Sequence, residues 1–293
     1  MPGLSEAKGA APGPVGWFVG LATLDVIQLV DVLPAPNQKT TAKQTWLAAG
    51  GPATVAAIAF AALGGRAVLW TALGGGAAAD AIRADLASAG VEVIDAAPDG
   101  FEVATSSVLL DAATGERAVI SGSGHRPHLA SPPKPDLTAA DVVLIDGHHA
   151  ELAAAAAREA SASGLPVVVD AGSHKPVFDQ LLTLSTDVIC SADYVHPAGL
   201  TPAELAAGRR LLAVSHGADA LVWWSDGEHG VVQPPSASVV DTLSAGDVLH
   251  GAYAFGLASG WSRLAALEFA VQVASIRVRR LGPFAWRHAM AAG

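Results

Sequence analysis

Short, continuous apolar runs separated by helical stretches constrain this chain more than any other feature. Residues 142–145, 167–169, 188–190 and 211–214 are each only three or four apolar residues long. They show no apolar-polar alternation, so they read as strands buried on both faces, the environment of a parallel sheet covered by helices. Residues 151–163, between the first two runs, have helical character. Earlier in the chain 17–20, 67–71 and 91–94 repeat the strand signal. Gly50-Gly51-Pro52 opens a helix running to about Leu63, because proline is tolerated in a first helical turn. A second helix spans 78–89 and is ended by Gly90. The alternation predicts β-α units around a mostly parallel sheet.

Other segments break this rhythm. Residues 34–46 are polar and β-branched with little helical period. Residues 103–110 and 117–121 flank Asp111-Ala112-Ala113-Thr114-Gly115, a hairpin turn. Together they predict a small β lid drawn from about 34–48 and 101–122. A later hairpin is expected at 221–224 and 230–233, and two final helices at 246–259 and 263–278.

Composition bounds the function. The chain has 293 residues, 51% hydrophobic and 15% charged, which is enough for one large packed domain and too apolar for disorder. A net charge of −10 gives no general attraction for nucleic acid or an anionic membrane. A single cysteine, Cys190, excludes an internal disulfide and fits a reducing cytoplasm. Residues 1–14, rich in Gly, Ala and Pro, read as a flexible tail before a domain over 15–293. The uncharged stretch 44–65 is long enough to raise a membrane span, but Gly50-Gly51-Pro52 interrupts any single helix there. No Cys/His cluster has zinc spacing, and no Gly-x-x-x-x-Gly-Lys-Ser/Thr loop is present.

The segment Asp241-Thr242-Leu243-Ser244-Ala245-Gly246-Asp247 carries the chemistry. Val239-Val240 reads as a strand end, followed by a tight turn and a helix starting near Ala245. The free N–H groups of a helix N-terminus suit an anion. Asp247 in that first turn could take a proton from a hydroxyl beside the anion. Taken alone, an aspartate there also simply complements the helix dipole.

The wider context resembles the ribokinase/PfkB family of carbohydrate kinases. Asp241–Asp247 followed by Gly251-Ala252 is similar to the family's long C-terminal signature. Gly50-Gly51 with its following helix resembles the first signature. Gly20-Leu21-Ala22-Thr23-Leu24-Asp25 resembles the opening strand, Gly115-Glu116-Arg117 the lid hairpin, Ser215-His216-Gly217 the nucleotide turn, and Val278-Arg279-Arg280-Leu281-Gly282 the closing segment. The implied fold is a ribokinase-like three-layer α/β/α sandwich with a small β-sheet lid.

The resemblance implies a cytoplasmic kinase using ATP and Mg²⁺ to phosphorylate a sugar-like small molecule, and a homodimer paired through the lid. Asp247 would be the general base, with Ser244, Ala245 and Gly246 supplying backbone donors. Asp25, Gly50, Gly51 and Thr54 would meet the substrate, joined by Lys39 and His148. Arg117, Ser191, Ser215, Gly217 and Ala218 would meet the nucleotide. Asp241 and Thr242 resemble part of a monovalent-cation loop, as for K⁺. Exposed Lys and His are usually solvated, and Asp25 and Arg117 have ordinary turn and hairpin readings beside the functional ones.

The sequence also departs from the family. Ser244 stands where glycine is usual. A sugar-contacting asparagine is replaced around Thr54-Val55. The Asn-x-x-Glu motif is absent at Ser191-Ala192-Asp193-Tyr194-Val195-His196, where the resemblance would leave Asp193 as at best a weak, partial substitute. Gly50-Gly51-Pro52-Ala53-Thr54 and Gly246-Asp247-Val248-Leu249-His250 are similar to the sulfofructose kinase branch. Leu24-Asp25-Val26-Ile27 and Val271-Gln272-Val273-Ala274-Ser275 resemble ketohexokinase. The substrate stays open between them. A nucleoside kinase of the same fold, with Trp46 as its one obvious lid aromatic, and a non-catalytic ligand-binding member are the rivals.

Overall fold

The computed structural model describes residues 13–122, 129 and 134–290, so nearly all of the expected tail lies outside the described residues. The chain begins with β1 (Val15–Val19), β2 (Thr23–Val30) and β3 (Gln44–Gly50), then α1 (Pro52–Ala62) and β4 (Arg66–Thr71). Next come α2 (Ala77–Ser88), β5 (Val91–Asp95), β6 (Thr105–Asp111) and β7 (Arg117–Ile120). The middle holds β8 (Val142–Ile145), α3 (Ala150–Ala162), β9 (Val167–Ala171), α4 (Phe178–Leu184) and β10 (Asp187–Ser191). The last third holds α5 (Pro202–Ala206), β11 (Leu211–Ser215), β12 (Leu221–Ser225) and β13 (Glu228–Val232). It ends with α6 (Ala245–Ala258), α7 (Arg263–Arg277) and α8 (Arg287–Met290). The sequence pattern did not reveal α4, α5 and α8, whose few residues are too short to display a helical period.

Nine strands form one sheet in the order β13-β12-β11-β10-β9-β8-β1-β4-β5. Seven of them run parallel, and only β12 and β13 pair antiparallel. Successive side chains on a strand face opposite ways. Phe18, Leu69, Leu144, Val168 and Ile189 therefore pack one face against α1, α6 and α7. Trp17, Val19, Val68, Trp70, Val143 and Val169 pack the other against α3 and α4. This is the three-layer α/β/α sandwich. The chain leaves β1 toward β4 and β5, then returns to β1's other side through β8, β9 and β10. The β1/β8 boundary is thus a topological switch point, where a crevice opens at the carboxyl ends of the strands.

Ala53 through Phe60 on α1 are all buried, because the helix is sandwiched between the sheet and α6. That accounts for the uncharged stretch 44–65: it is a strand, a turn and an enclosed helix. Among the described residues no helix is long and apolar enough to cross a membrane.

The second sheet has the order β3-β2-β6-β7. Strand β2 follows β1 closely in sequence but belongs to this second sheet, where it pairs parallel with β6. Residues 34–43, expected within the lid strands, form turns and open chain, and strand pairing starts only at Gln44. Leu47, Val119 and Ile120 on its two edge strands are exposed.

Gly251 on α6 faces α1 so closely that a Cβ there would lie 2.3 Å from the Ala56 carbonyl oxygen and 2.9 Å from the Ala59 Cβ. Backbone cannot yield as a flexible side chain can. Gly251→Ala is expected to lower stability by about 1–3 kcal/mol through overpacking. An unchanged urea midpoint would show that the two helices separate freely.

Candidate active site

Asp241 is the hinge of the site. Its buried carboxylate accepts from the Leu243 N–H (2.9 Å), the Gly282 N–H (3.0 Å) and the Arg277 guanidinium (3.0 Å). Arg277 is fully buried and also donates to the Arg280 carbonyl at 2.7 Å. Val239-Val240 is not a strand end. Its backbone has no ladder partner strand, and the Val240 and Asp241 N–H groups instead donate to the Val278 carbonyl behind α7. The turn before α6 is therefore held by the C-terminal segment and not by a sheet.

Ser244 precedes α6 in the left-handed region (φ 59°, ψ 15°), a conformation that favours glycine. No side chain caps α6. The N–H groups of its first turn have no helical partner of their own. A Cβ built on exposed Gly246 would meet nothing within 4 Å, so open space lies over that turn. A group carrying negative charge fits there.

Asp247 stands in this first turn, half-buried. Burial, with the nearby charges of Asp170 and Asp146, pushes its carboxyl up to about 7, against the opposing pull of His250 and Arg117. Arg117, at the start of β7, donates to Thr242 Oγ1 at 3.2 Å. Thr242 in turn donates to the Gly115 carbonyl through its hydroxyl (2.8 Å) and its N–H (3.2 Å). The hairpin of the small sheet is thereby fastened to the turn that precedes Asp247.

Asp25 on β2 of the small sheet accepts from Thr23 Oγ1 at 2.7 Å. Burial pushes it up to about 6, while hydrogen bonds from Thr23 and Ser106 pull it down. Gly50 lies under this carboxylate: a Cβ there would sit 2.0 Å from Asp25 Oδ2. Gly51 has φ 99°, and a Cβ would strike the Leu21 carbonyl at 2.3 Å. Gly51 is required by its backbone angle and the nearby Leu21 backbone, whereas a side chain at Gly50 would have to displace the Asp25 carboxylate.

Asp146, at the end of β8, ties the switch point together. It accepts from the Leu21 N–H (2.9 Å), the Ala53 N–H (3.2 Å) and the His148 N–H (2.8 Å). Burial alone would raise its pKa, but His148, Lys175 and these donors hold it well below the usual carboxylate range. The His148 ring lies beside it, Nδ1 3.2 Å from Oδ1.

Ser191 and Ser215 are paired neighbours at the carboxyl ends of β10 and β11. Ser191 donates to the Gly172 carbonyl (3.1 Å) and Ser215 to that of Cys190 (3.3 Å). Gly217 and Ala218 form an exposed turn just beyond, with Gly217 at φ 64°. Two expected residues stand apart. Thr54 is fully buried and its hydroxyl donates to the Leu21 carbonyl at 2.9 Å, so it braces the loop and does not face the crevice. Lys39 is exposed on the open chain between β2 and β3.

Sequence reasoning missed Asp146, Asp170, His250 and Arg277. A signal existed for the first two: each aspartate directly ends a buried apolar strand, β8 or within β9. A charge at that place faces the crevice or is held by backbone donors. Two cavities, of about 410 and 340 Å³, lie around Lys134, Asp136 and Thr138 near the opposite end of β8, away from these carboxylates.

An uncapped helix with a half-buried carboxyl in its first turn, at the switch point of a three-layer sandwich, is an arrangement suited to an α/β enzyme. The chain matches the pfkB family carbohydrate kinases over residues 17–286 and belongs to that family. It is a carbohydrate kinase. It is 27% identical to ketohexokinase of Mus musculus over 278 residues, covering 87% of this chain and 93% of the relative. A structure from Agrobacterium tumefaciens put forward as a ribokinase superposes with a TM-score of 0.82 at 27% identity, covering 96% and 97% of the two chains. Arabidopsis thaliana ribokinase, solved with ribose and ATP, shares the fold with a TM-score of 0.73 at 21% identity, covering 96% and 98%.

The raised Asp247 carboxyl has a consequence for stability. Its folded pKa of about 7 exceeds the unfolded value, so the folded chain binds the proton more tightly than the unfolded chain. Asp247 therefore makes stability fall as pH rises from about 4 to about 7, and the full loss persists above that. Asp247→Asn is expected to raise the melting temperature at pH 8 and to converge with the parent near pH 4. A variant equally or less stable at pH 8 would contradict the strained carboxylate.

Proposed function

We propose that this chain is an ATP-dependent sugar kinase in which Asp247 is the general base. The observation that carries the reading is the half-buried Asp247 carboxyl in the uncapped first turn of α6. A sugar hydroxyl, oriented by Asp25, gives its proton to Asp247 while its oxygen attacks the γ-phosphorus. The bond to the bridging oxygen of ADP breaks as the new ester forms. The backbone N–H of Gly246 faces the charge that develops on the transferred group, whereas that of Ala245 donates to the Thr242 carbonyl at 3.4 Å. Arg117 brings a cation to the same edge, and the small sheet bearing it closes over the crevice and keeps water out. The nucleotide lies beyond β10 and β11, along Ser191, Ser215, Gly217 and Ala218.

Among the described residues no group of three or more His, Cys, Asp or Glu is arranged to hold a metal. In this reading Mg²⁺ arrives on the nucleotide phosphates, which it neutralises. The donor set at Asp241 does not suit a monovalent cation, because both carboxylate oxygens already accept hydrogen bonds and a buried guanidinium contacts one of them. Activity and melting temperature are expected to differ less than about twofold and 1 °C between K⁺ and tetramethylammonium, the charge being supplied by Arg277. Strong activation by K⁺ would contradict this.

The base must be ionised to act, so kcat/KM with ATP and a panel of sugars, phosphosugars and sulfosugars should rise with pH and level off above about 7. Asp247→Asn should retain nucleotide binding and lose turnover by about 10²–10⁴-fold. Near-normal turnover in this variant would sink the assignment.

A further inference from the structure

His250 lies on α6 one turn beyond Asp247 and is almost completely buried. Its Nδ1 is 2.7 Å from the Gly246 carbonyl oxygen. Its Nε2 is 3.2 Å from the Ile189 carbonyl oxygen on β10 and 3.5 Å from Asp170 Oδ1 on β9. These three contacts of the ring nitrogens are all to acceptors. A neutral imidazole carries one N–H and one lone pair, and that lone pair would then point at an oxygen. An imidazolium donates from both nitrogens, and the Asp170 carboxylate supplies its counter-charge.

We propose that His250 is a positioning residue: a buried imidazolium that clips the first turn of α6 to the ends of β9 and β10 and, with Asp170, sets the charge state of Asp247. The clip has three attachments. One is the Gly246 carbonyl, in the same turn as the open anion site. The second is the β10 backbone, one residue before Cys190. The third is Asp170, itself buried at the end of the apolar part of β9. Elsewhere around Asp247 stand Asp146 from β8, Arg117 from β7 and Arg277 from α7. Charge on Asp170 opposes ionisation of Asp247, whereas charge on His250 and Arg117 favours it. His250 and Asp170 therefore act as a matched pair: removing either unbalances the base in a predictable direction.

The inference rests on Asp247 being the base only for its kinetic consequence, so the primary readout is independent of turnover. In nitrogen-15-labelled protein without ligand, both ring nitrogens of His250 should carry protons at pH 7.5. Carbon-13 carboxyl spectra should follow Asp247 through its titration. His250→Gln removes the cation and is expected to move the Asp247 midpoint up by about one pH unit. Asp170→Asn, which keeps the shape of the side chain, should move it down by a similar amount. The double variant should return close to the parent. The acid limb of kcat/KM should follow the same three shifts. A neutral His250, or an Asp247 midpoint unmoved in both single variants, would overturn the proposal. Shifted carboxyl titrations without sugar phosphorylation would uphold it and count against the kinase base alone.

Discussion

The buried pair between Asp241 and Arg277 is the interaction on which the site depends. It joins three segments that are far apart in sequence: the turn before α6, the end of α7 and the chain through Gly282. A buried ion pair is weak evidence for net stability, because desolvation offsets most of the attraction. Breaking one partner is still costly, commonly about 3–5 kcal/mol, because the other charge is stranded. Here the remaining lone pairs and protons are largely taken up by backbone groups. The pair therefore acts less as added stability than as a device that permits one geometry of the turn. That geometry includes Ser244 in the left-handed region, which a turn free to relax would avoid.

The parallel sheet was legible because strands buried on both faces leave an unmistakable apolar signature. The runs within β8, β9, β10 and β11 could be placed to within a residue or two. The small sheet was harder. β2 is half-buried and carries Asp25 and Gln28, so it lacks the fully apolar run of the central strands. Its partner β3 begins polar and ends buried, and a boundary set by hydropathy drifts toward the open chain at 34–43. Val239-Val240 shows the opposite error: two β-branched residues mimic a strand where the backbone is satisfied by the carbonyl of Val278.

At the site, motif-bearing residues were visible and their supports were not. Asp247, Asp25, Gly50 and Gly51 sit in recognisable strings. Asp146, Asp170, His250 and Arg277 act through contacts across 36 to 125 positions of separation; the first two are marked only by closing an apolar run, and nothing local marks His250 and Arg277. Thr54 illustrates the converse. It lies in a motif, yet its hydroxyl is committed to the Leu21 carbonyl, so the strand-to-helix loop gains a brace and the crevice gains no polar group.

Two carboxylates of the same crevice end in opposite states, and the difference follows from where each meets the backbone. Asp146 closes β8 directly against the N–H groups of Leu21 and Ala53, so burial comes with donors already in place. Its charge is neutralised where it stands, and it serves as a fixed anchor at the switch point. Asp247 is shielded without comparable donors and faces Asp170 and Asp146. It stays near the balance between its two forms. Groups driven apart in this way divide the labour of a site: the one that is satisfied holds the geometry, and the one that is not can exchange a proton. Asp25 lies between them, half-buried and helped by hydrogen bonds from Thr23 and Ser106. The chemistry is thus distributed by the supply of backbone donors at each strand or helix end, and the topology of the sandwich determines that supply.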